Sequence, residues 1–366
     1  MSTAVISSAG FRRDSSELIV PFAISQESLP VAEVVFVRIS DTSGHSGLGE
    51  ASPFPSLTYD TIDDVLTALP MLLNLIKTCT VAQALSKVEE WWTAPQSQSR
   101  TAIAAIEMAL CDLRARQLGI PLMNLYAKDV DAVLSPYIQT DLTVPIMPPE
   151  TVAEFLSGFA DGNFQVIKIK VGGLLAEDLA RIIATRDAMP PGTILTLDGN
   201  QGFEVDGVEN LVCALKKENI YPAFFEQPLN ENDWDGCARL AALKIVPVFL
   251  DEAVRFPADL ERAANGGLCE GINLKITKSG ITHTLRLAQM ARALGLDLMI
   301  GGMLESEVAM GHSLHLAAGF GGIRWCDLDT PFFFRKRFTA NSPWNDVSRL
   351  NVPNGPGLGL TLLEPV

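Results

Sequence analysis

The sequence predicts an α/β fold in which a parallel barrel of eight strands follows a smaller α+β domain. Three observations predict it. From about Ser135 onward, eight short β-rich runs alternate with amphipathic helical stretches. Before that point, three β-rich runs separated by turn-formers give way to a block of helical periodicity. Charged residues also recur at the ends of the later runs, from 170 to 275, at intervals of 24 to 28 residues, about one βα unit each. At 366 residues, 48% apolar and 19% charged, the chain has enough length and apolar content for two domains with sizeable cores.

In the first domain, expected over residues 1–132, the runs 18–25, 31–39 and 46–51 read as an antiparallel meander, with Asp41-Thr-Ser-Gly44 as a turn. Helical periodicity covers 61–75, 81–92 and, most strongly, 99–117, where Gly119 and Pro121 supply the stop. The barrel, expected over 133–344, takes its strands from 137–144, 165–171, 194–200, 223–228, 246–252, 271–277, 297–302 and 323–329. Helical stretches such as 175–188, 205–218 and 283–294 fill the gaps. The Pro- and Gly-rich segment 345–366 holds no further βα unit and is expected to return to the first domain.

The formal charge is −15, from 28 basic and 43 acidic residues. That excludes a broad phosphate-tracking surface and with it a nucleic-acid partner. A small anionic substrate stays allowed, because a bound divalent cation reverses the local field. The six cysteines form no CxxC and read as reduced, buried hydrophobes of a cytosolic protein. The N-terminal apolar run precedes its arginines, the wrong order for a signal peptide. Apolar windows such as 246–250 fall far short of the roughly 20 residues of a membrane span. A soluble cytoplasmic protein is expected. The glycines at 301–302 and 319–322 have the wrong spacing for a phosphate cradle.

In a parallel barrel the C-terminal ends of the strands converge on one mouth. Lys168 and Lys170 leave the same face of strand two. Asp198 ends strand three, Glu226 strand four, and Asp251 with Glu252 strand five. Lys275 lies on strand six, Glu305 follows strand seven, and Asp327 and Asp329 end strand eight. Taken singly, each acid reads more readily as a helix cap or a loop residue than as a site residue. Together, on successive strands and with lysines inside the apolar run 166–171, they make a site. Asp198, Glu226 and Asp251 offer only oxygen donors, a hard-cation set that suits Mg²⁺ with positions left open. Lys170 and Lys275, on opposite sides of that set, suit proton transfer. The Lys168 ammonium and a divalent cation would both favour a neutral, basic lysine. The chemistry that needs such a set is removal of a proton α to a carboxylate, where the cation balances the enediolate charge.

On these residues the chain resembles the enolase superfamily, within it the muconate-lactonizing subgroup. The resemblance rests on Phe54-Pro-Ser56 after Gly49-Glu-Ala51, Lys168-Ile-Lys170, Asp198-Gly-Asn200, Glu226-Gln-Pro228, Asp251-Glu252 and Asn273-Leu-Lys275. It implies a (β/α)7β modified TIM barrel under an α+β capping domain completed by 345–366. It also implies Mg²⁺ on Asp198, Glu226 and Asp251, and acid/base roles for Lys170 and Lys275. Family members often form symmetric homo-oligomers.

Within the subgroup, dipeptide epimerases resemble this chain in carrying an Asp-x-Asp at the end of strand eight, here Asp327 and Asp329. Two carboxylates on one strand face make a fixed site for a substrate α-ammonium. Thr143 matches a substrate-contacting position, and Glu305 matches an acid that meets substrate or lysine. The implied activity is Mg²⁺-dependent epimerisation of a dipeptide by 1,1-proton transfer at the α-carbon of its C-terminal residue. Glutamate-selective members place an Arg in the loop after a Pro-Phe pair, where this sequence has Glu27. An apolar or basic second residue is therefore expected, and not Ala-Glu. The rivals are an o-succinylbenzoate synthase or muconate-type cycloisomerase, whose dianionic substrates Asp327 and Asp329 would repel, and a retired ligand-binding scaffold. No His ends strand seven at 299–303, which disfavours mandelate-racemase chemistry. His312 and His315 are expected to be packing residues.

Overall fold

The hairpin of β1 (Ile6–Ala23) and β2 (Ser28–Asp41) opens the computed structural model, which is described over residues 4–94, 99–127, 134–345 and 347–366. β1 begins at Ile6 rather than at 18, because its first half is polar and half-exposed and shows no apolar alternation. β2, fully buried from Val34 to Val37, supplies the pairing that holds it. β3 (Ser46–Ala51) completes an antiparallel sheet of three strands.

Helices α1 (Pro55–Thr58), α2 (Ile62–Ile76), α3 (Val81–Thr93), α4 (Arg100–Leu118) and α5 (Leu122–Tyr126) follow. Capping boxes at Thr61/Asp64 and Thr80/Gln83 start α2 and α3, and Gly119 ends α4 in the left-handed conformation. α4 is buried along nearly its whole length and lies directly on β3. Gly47 and Gly49 make that approach possible, since a Cβ at either would strike the α4 backbone at Ala109 or Ala105.

The next expected strand divides in two. β4 (Tyr137–Gln139) lies outside the barrel, and β5 (Leu142–Val144) enters it. The chain then runs through α6 (Val152–Ser157), β6 (Val166–Lys170), α7 (Leu175–Ala188), β7 (Ile194–Asp198), α8 (Val205–Lys217) and β8 (Phe225–Glu226). It continues as α9 (Trp234–Leu243), β9 (Val248–Leu250), α10 (Pro257–Gly266), β10 (Gly271–Leu274), α11 (Ile276–Ala293), β11 (Asp297–Ile300), α12 (Glu307–Phe320) and β12 (Trp325–Cys326). Strands β5 to β12 form one parallel sheet of eight in sequence order. The sheet curls until Asp141 N–H donates to Cys326 C=O at 2.9 Å, joining the first strand to the last. The strands are shorter than the expected runs, although bonds such as Gly199 N–H to Glu226 C=O carry the ladder past their ends.

β13 (Arg349–Asn351) pairs antiparallel with β4. Beyond it, Leu358 N–H donates to Asp112 on α4, and Arg12 on β1 donates to the Pro365 carbonyl. The boundary expected at 132/133 lies outside the described residues. All six cysteines are free. No described helix is long and apolar enough to cross a membrane.

Candidate active site

Strand register builds the site. Parallel pairing sets Lys170 beside Asp198 and Asp198 beside Glu226. Lys170 Nζ donates to Asp198 Oδ2 at 2.6 Å and to Asn200 Oδ1 at 3.1 Å. Lys168 Nζ lies 2.8 Å from Asp198 Oδ2 and 2.8 Å from Glu226 Oε2, and donates to Asp327 Oδ2 at 2.7 Å. Lys275 Nζ lies 2.7 Å from Asp251 Oδ2. One buried network thus joins Lys168, Lys170, Asp198, Glu226 and Asp327, and Lys275 is paired with Asp251 beside it.

Burial opposes each of these charges, and their neighbours decide the outcome. Against burial, the lysines hold Asp198 and Asp251 well below the usual carboxylate range. Burial and the Asp198 charge push Glu226 up to about 7. Burial disfavours the ammonium groups of Lys168 and Lys275, but Asp198 and Asp327 around Lys168, and Asp251 and Glu226 around Lys275, outweigh it and raise both pKa values. Lys168 is thereby held as the ammonium expected beside Lys170.

The acids fit a hard cation. Glu226 Oε2 and Asp251 Oδ2 are buried and face the ammonium groups of Lys168 and Lys275 at 2.8 and 2.7 Å. Buried carboxylate oxygens already turned towards positive charge, and all three acids offering only oxygen donors, suit Mg²⁺.

A small cavity of about 20 Å³ is lined by Phe22, Ile24, Phe54 and Leu57 of the first domain and by Lys170, Lys275 and Asp327 of the barrel. Thr143 also lines it. Asp329 does not; its carboxylate accepts the Thr143 N–H from behind. Glu27, expected to face the substrate, instead accepts a hydrogen bond from Ser56 Oγ at 3.1 Å. The turn closed by Ile24 N–H on the Glu27 carbonyl leaves Ile24 on the cavity wall in its place. Glu305, expected to meet substrate or lysine, is held by Thr277 Oγ1 at 2.8 Å and Met303 N at 3.0 Å. Burial pushes its pKa up to about 7.

Four polar residues went unread in the sequence. Asn200 bonds Lys170, and Asn273 Nδ2 donates to Glu226 Oε1 at 2.6 Å. Both stand inside the motifs Asp198-Gly-Asn200 and Asn273-Leu-Lys275, where an uncharged amide carries no charge signal of its own. Lys278 Nζ donates to Asp251 Oδ1 at 2.8 Å from the first turn of α11. Its spacing of three from Lys275 was a helical signal. Asp141 lies with Asp327 and Asp329 in a cluster whose carboxylate oxygens fall within 4.8 Å of one another. His312 and His315 are buried packing residues, bonded to Tyr126 and the Leu48 carbonyl, and to Met123 N–H and the Leu358 carbonyl.

The model of the mandelate racemase/muconate lactonizing enzyme N-terminal domain matches residues 8–126, and the enolase C-terminal domain-like model matches 150–366. The chain belongs to the enolase superfamily. It is an enzyme of the mandelate racemase/muconate lactonizing branch. It is 36% identical over 324 residues to an L-Ala-D/L-amino acid epimerase of Populus trichocarpa, covering 86% of this chain and 74% of that protein. It is 33% identical over 347 residues to a hydrophobic dipeptide epimerase of Citrifermentans bemidjiense, covering 93% of each. The structure of the Cytophaga hutchinsonii dipeptide epimerase, complexed with Mg and D-Ala-L-Val, is similar at a TM-score of 0.89 and 28% identity, over 98% of this chain and 96% of that one.

Proposed function

We propose that this enzyme epimerises a dipeptide at the α-carbon of its C-terminal residue, with Mg²⁺ held by Asp198, Glu226 and Asp251. The observation that carries the proposal is that Lys170, Lys275 and Asp327 line one cavity. Lys170 Nζ removes the α-proton from one face, and Lys275 Nζ delivers a proton to the other. One C–H bond breaks and one forms with inversion; the opposite isomer uses the lysines in reverse. A bound Mg²⁺ supplies positive charge that balances the substrate carboxylate as its α-carbon loses the proton. The same charge would oppose the raised pKa of Lys275 and favour the neutral form that a base requires. Asp327 holds the substrate ammonium by a charge-assisted hydrogen bond.

Phe22, Ile24, Phe54 and Leu57 favour an apolar second residue. Ala-Glu is disfavoured because this apolar wall offers its side-chain carboxylate no cation, and an unpaired buried charge is costly. A cavity of about 20 Å³ holds little more than one water, so the first-domain residues must part to admit a dipeptide.

The test is a dipeptide library incubated in D₂O with and without Mg²⁺ and read by mass spectrometry. Single-deuterium incorporation into apolar dipeptides, lost without the metal, is expected. No exchange on any dipeptide, with turnover of an o-succinylbenzoate precursor, would overturn the proposal. A cycloisomerase or synthase is disfavoured by Asp327, which would repel a dianionic substrate.

A further inference from the structure

The barrel floor carries a cavity of about 260 Å³ at the N-terminal ends of the strands, away from the cavity between the lysines. Its rim is exposed at Gln139, Gln165 and Arg324, and its inner end is formed by buried Asp141, Thr196 and Cys326. Barrel interiors are ordinarily filled by layers of packed side chains. Part of this floor obeys the rule, with Phe224 stacked on Phe249 at 4.2 Å and packed with Met299. The wall near Asp141 departs from it. Asp141 Oδ1, Thr196 Oγ1 and Trp325 Nε1 are buried atoms on the cavity wall that make no hydrogen bond to the described residues. An acceptor, a hydroxyl and a donor around a space this large suit ordered water.

On its inner side Asp141 meets Asp327 and Asp329, their carboxylate oxygens within 4.8 Å of one another. Asp329 Oδ1 is a further buried atom without a partner. The charged groups facing Asp141 are Asp327 and Asp329 beyond β12, Lys168 on β6 and Glu226 on β8; the Cys326 thiol and neutral Thr196 complete its surroundings. The ammonium that acts on all three acids, Lys168, is also shared with Asp198 and Glu226. Carboxylates this close in a buried site cannot all ionise, and the proton they share belongs to the cluster. Burial and the Asp327 charge oppose ionisation of both Asp141 and Asp329, so the proton is shared within the cluster, and Asp141 is the member whose unpaired Oδ1 opens on the floor cavity.

We propose that the cluster of Asp141, Asp327 and Asp329 carries one proton in the free enzyme, and that a dipeptide ammonium arriving at Asp327 displaces it past Asp141 into the water of the floor cavity. The proposal rests on the assignment of Asp327 as the ammonium site. In this step the O–H bond of one carboxylic acid breaks, the proton passes to water and then to buffer, and Lys168 stays an ammonium. The incoming positive charge takes the place of the departing proton, so the cluster's balance is kept. The floor route matters because the opposite side is lined by apolar Phe22, Ile24, Phe54 and Leu57, which offer a proton no acceptor.

Calorimetric titration of the Mg²⁺-loaded enzyme with L-Ala-L-Phe, in buffers of different ionisation enthalpy at pH 7, tests this. Release of about one proton per dipeptide bound is expected. N-acetyl-L-Ala-L-Phe, which has no ammonium, should release none, and Asp141→Asn should release less than half as much as wild type. Binding without proton release, equal release by the acetylated peptide, or full release by Asp141→Asn would each overturn the proposal. Failure of every dipeptide to bind would instead remove the epimerase assignment, and this proposal with it.

Discussion

Glu107 and Gly280 meet between the two halves of the molecule: the Glu107 carboxylate lies against the Gly280 α-carbon and accepts the N–H groups of Ile281 and Thr282 at 3.0 and 2.9 Å. Gly280 has φ 75° and breaks α11 between the turn carrying Lys278 and the rest of the helix. Trp92 Nε1 donates to the same carboxylate at 3.0 Å. The buried helix α4 therefore fixes where the chain after Lys275 can go. Gly280→Ala should destabilise the protein by more than the ~1–3 kcal/mol of backbone strain in this glycine-only region alone, because the methyl group would strike Glu107 and Trp92. Glu107→Gln, which keeps one acceptor oxygen, should cost less, about 1–3 kcal/mol. Urea unfolding measures both, and an unchanged Gly280→Ala midpoint would refute the coupling.

Lys170 and Lys275 should be separable by isotope exchange. Removing one acid/base partner lowers turnover by roughly 10²–10⁴-fold. Lys170→Ala and Lys275→Ala should each lose epimerisation, yet each should keep α-proton exchange with D₂O for the isomer whose proton faces the surviving lysine. Proton NMR of the separate L,L and L,D dipeptides in D₂O reads this directly. Loss of both exchanges in both variants would argue against one lysine per face.

Lys170, Asp198 and Glu226 were legible because parallel strands of equal unit length bring their ends into one row, and spacing alone encodes that. Asp141 was not, since its partners come from the last strand and only the curl of the sheet brings them together. Glu27 was misread because a tight turn decides which of its residues faces inward, and composition does not record the turn's direction. Lys278 was hidden by the expected strand 271–277: the β-branched Ile276 and Thr277 extend its pattern, but they open α11. There a lysine bonding back to Asp251 outweighs local propensity.

The buried histidines give a pH signature. Burial drives His312 down to about 3 from its ordinary 6.5. Below pH 6.5 the unfolded chain takes up a proton that the native state refuses. The stabilisation from His312 is therefore present above pH 6.5 and is lost as pH falls towards 3. His312→Phe should be less stable than wild type at pH 7.5, since the Leu48 carbonyl and Tyr126 hydroxyl lose their partner. The deficit should shrink by up to about 1.4 kcal/mol for each pH unit below 6.5. Urea unfolding of both proteins at pH 7.5 and 5.5 checks it, and a constant deficit would contradict it.

Ile24 offers the sharpest test of substrate choice. It stands on the cavity wall with Phe22, Phe54 and Leu57, and the basic side chains lining the cavity with them, Lys170 and Lys275, are those assigned to the reacting α-carbon. A dipeptide whose second side chain is apolar gains the burial of that side chain, on the order of 1.5–3 kcal/mol. A glutamate side chain entering the same wall loses its hydration without finding a cation. Ile24→Arg reverses both conditions. It should lower kcat/KM for L-Ala-L-Phe by about tenfold or more and raise it for L-Ala-L-Glu, while Glu27→Ala, whose carboxylate is turned to Ser56, should leave their ratio nearly unchanged. Steady-state kinetics on the two dipeptides distinguishes the positions. A specificity change at Glu27 rather than at Ile24 would place the selecting contact on the other side of the turn.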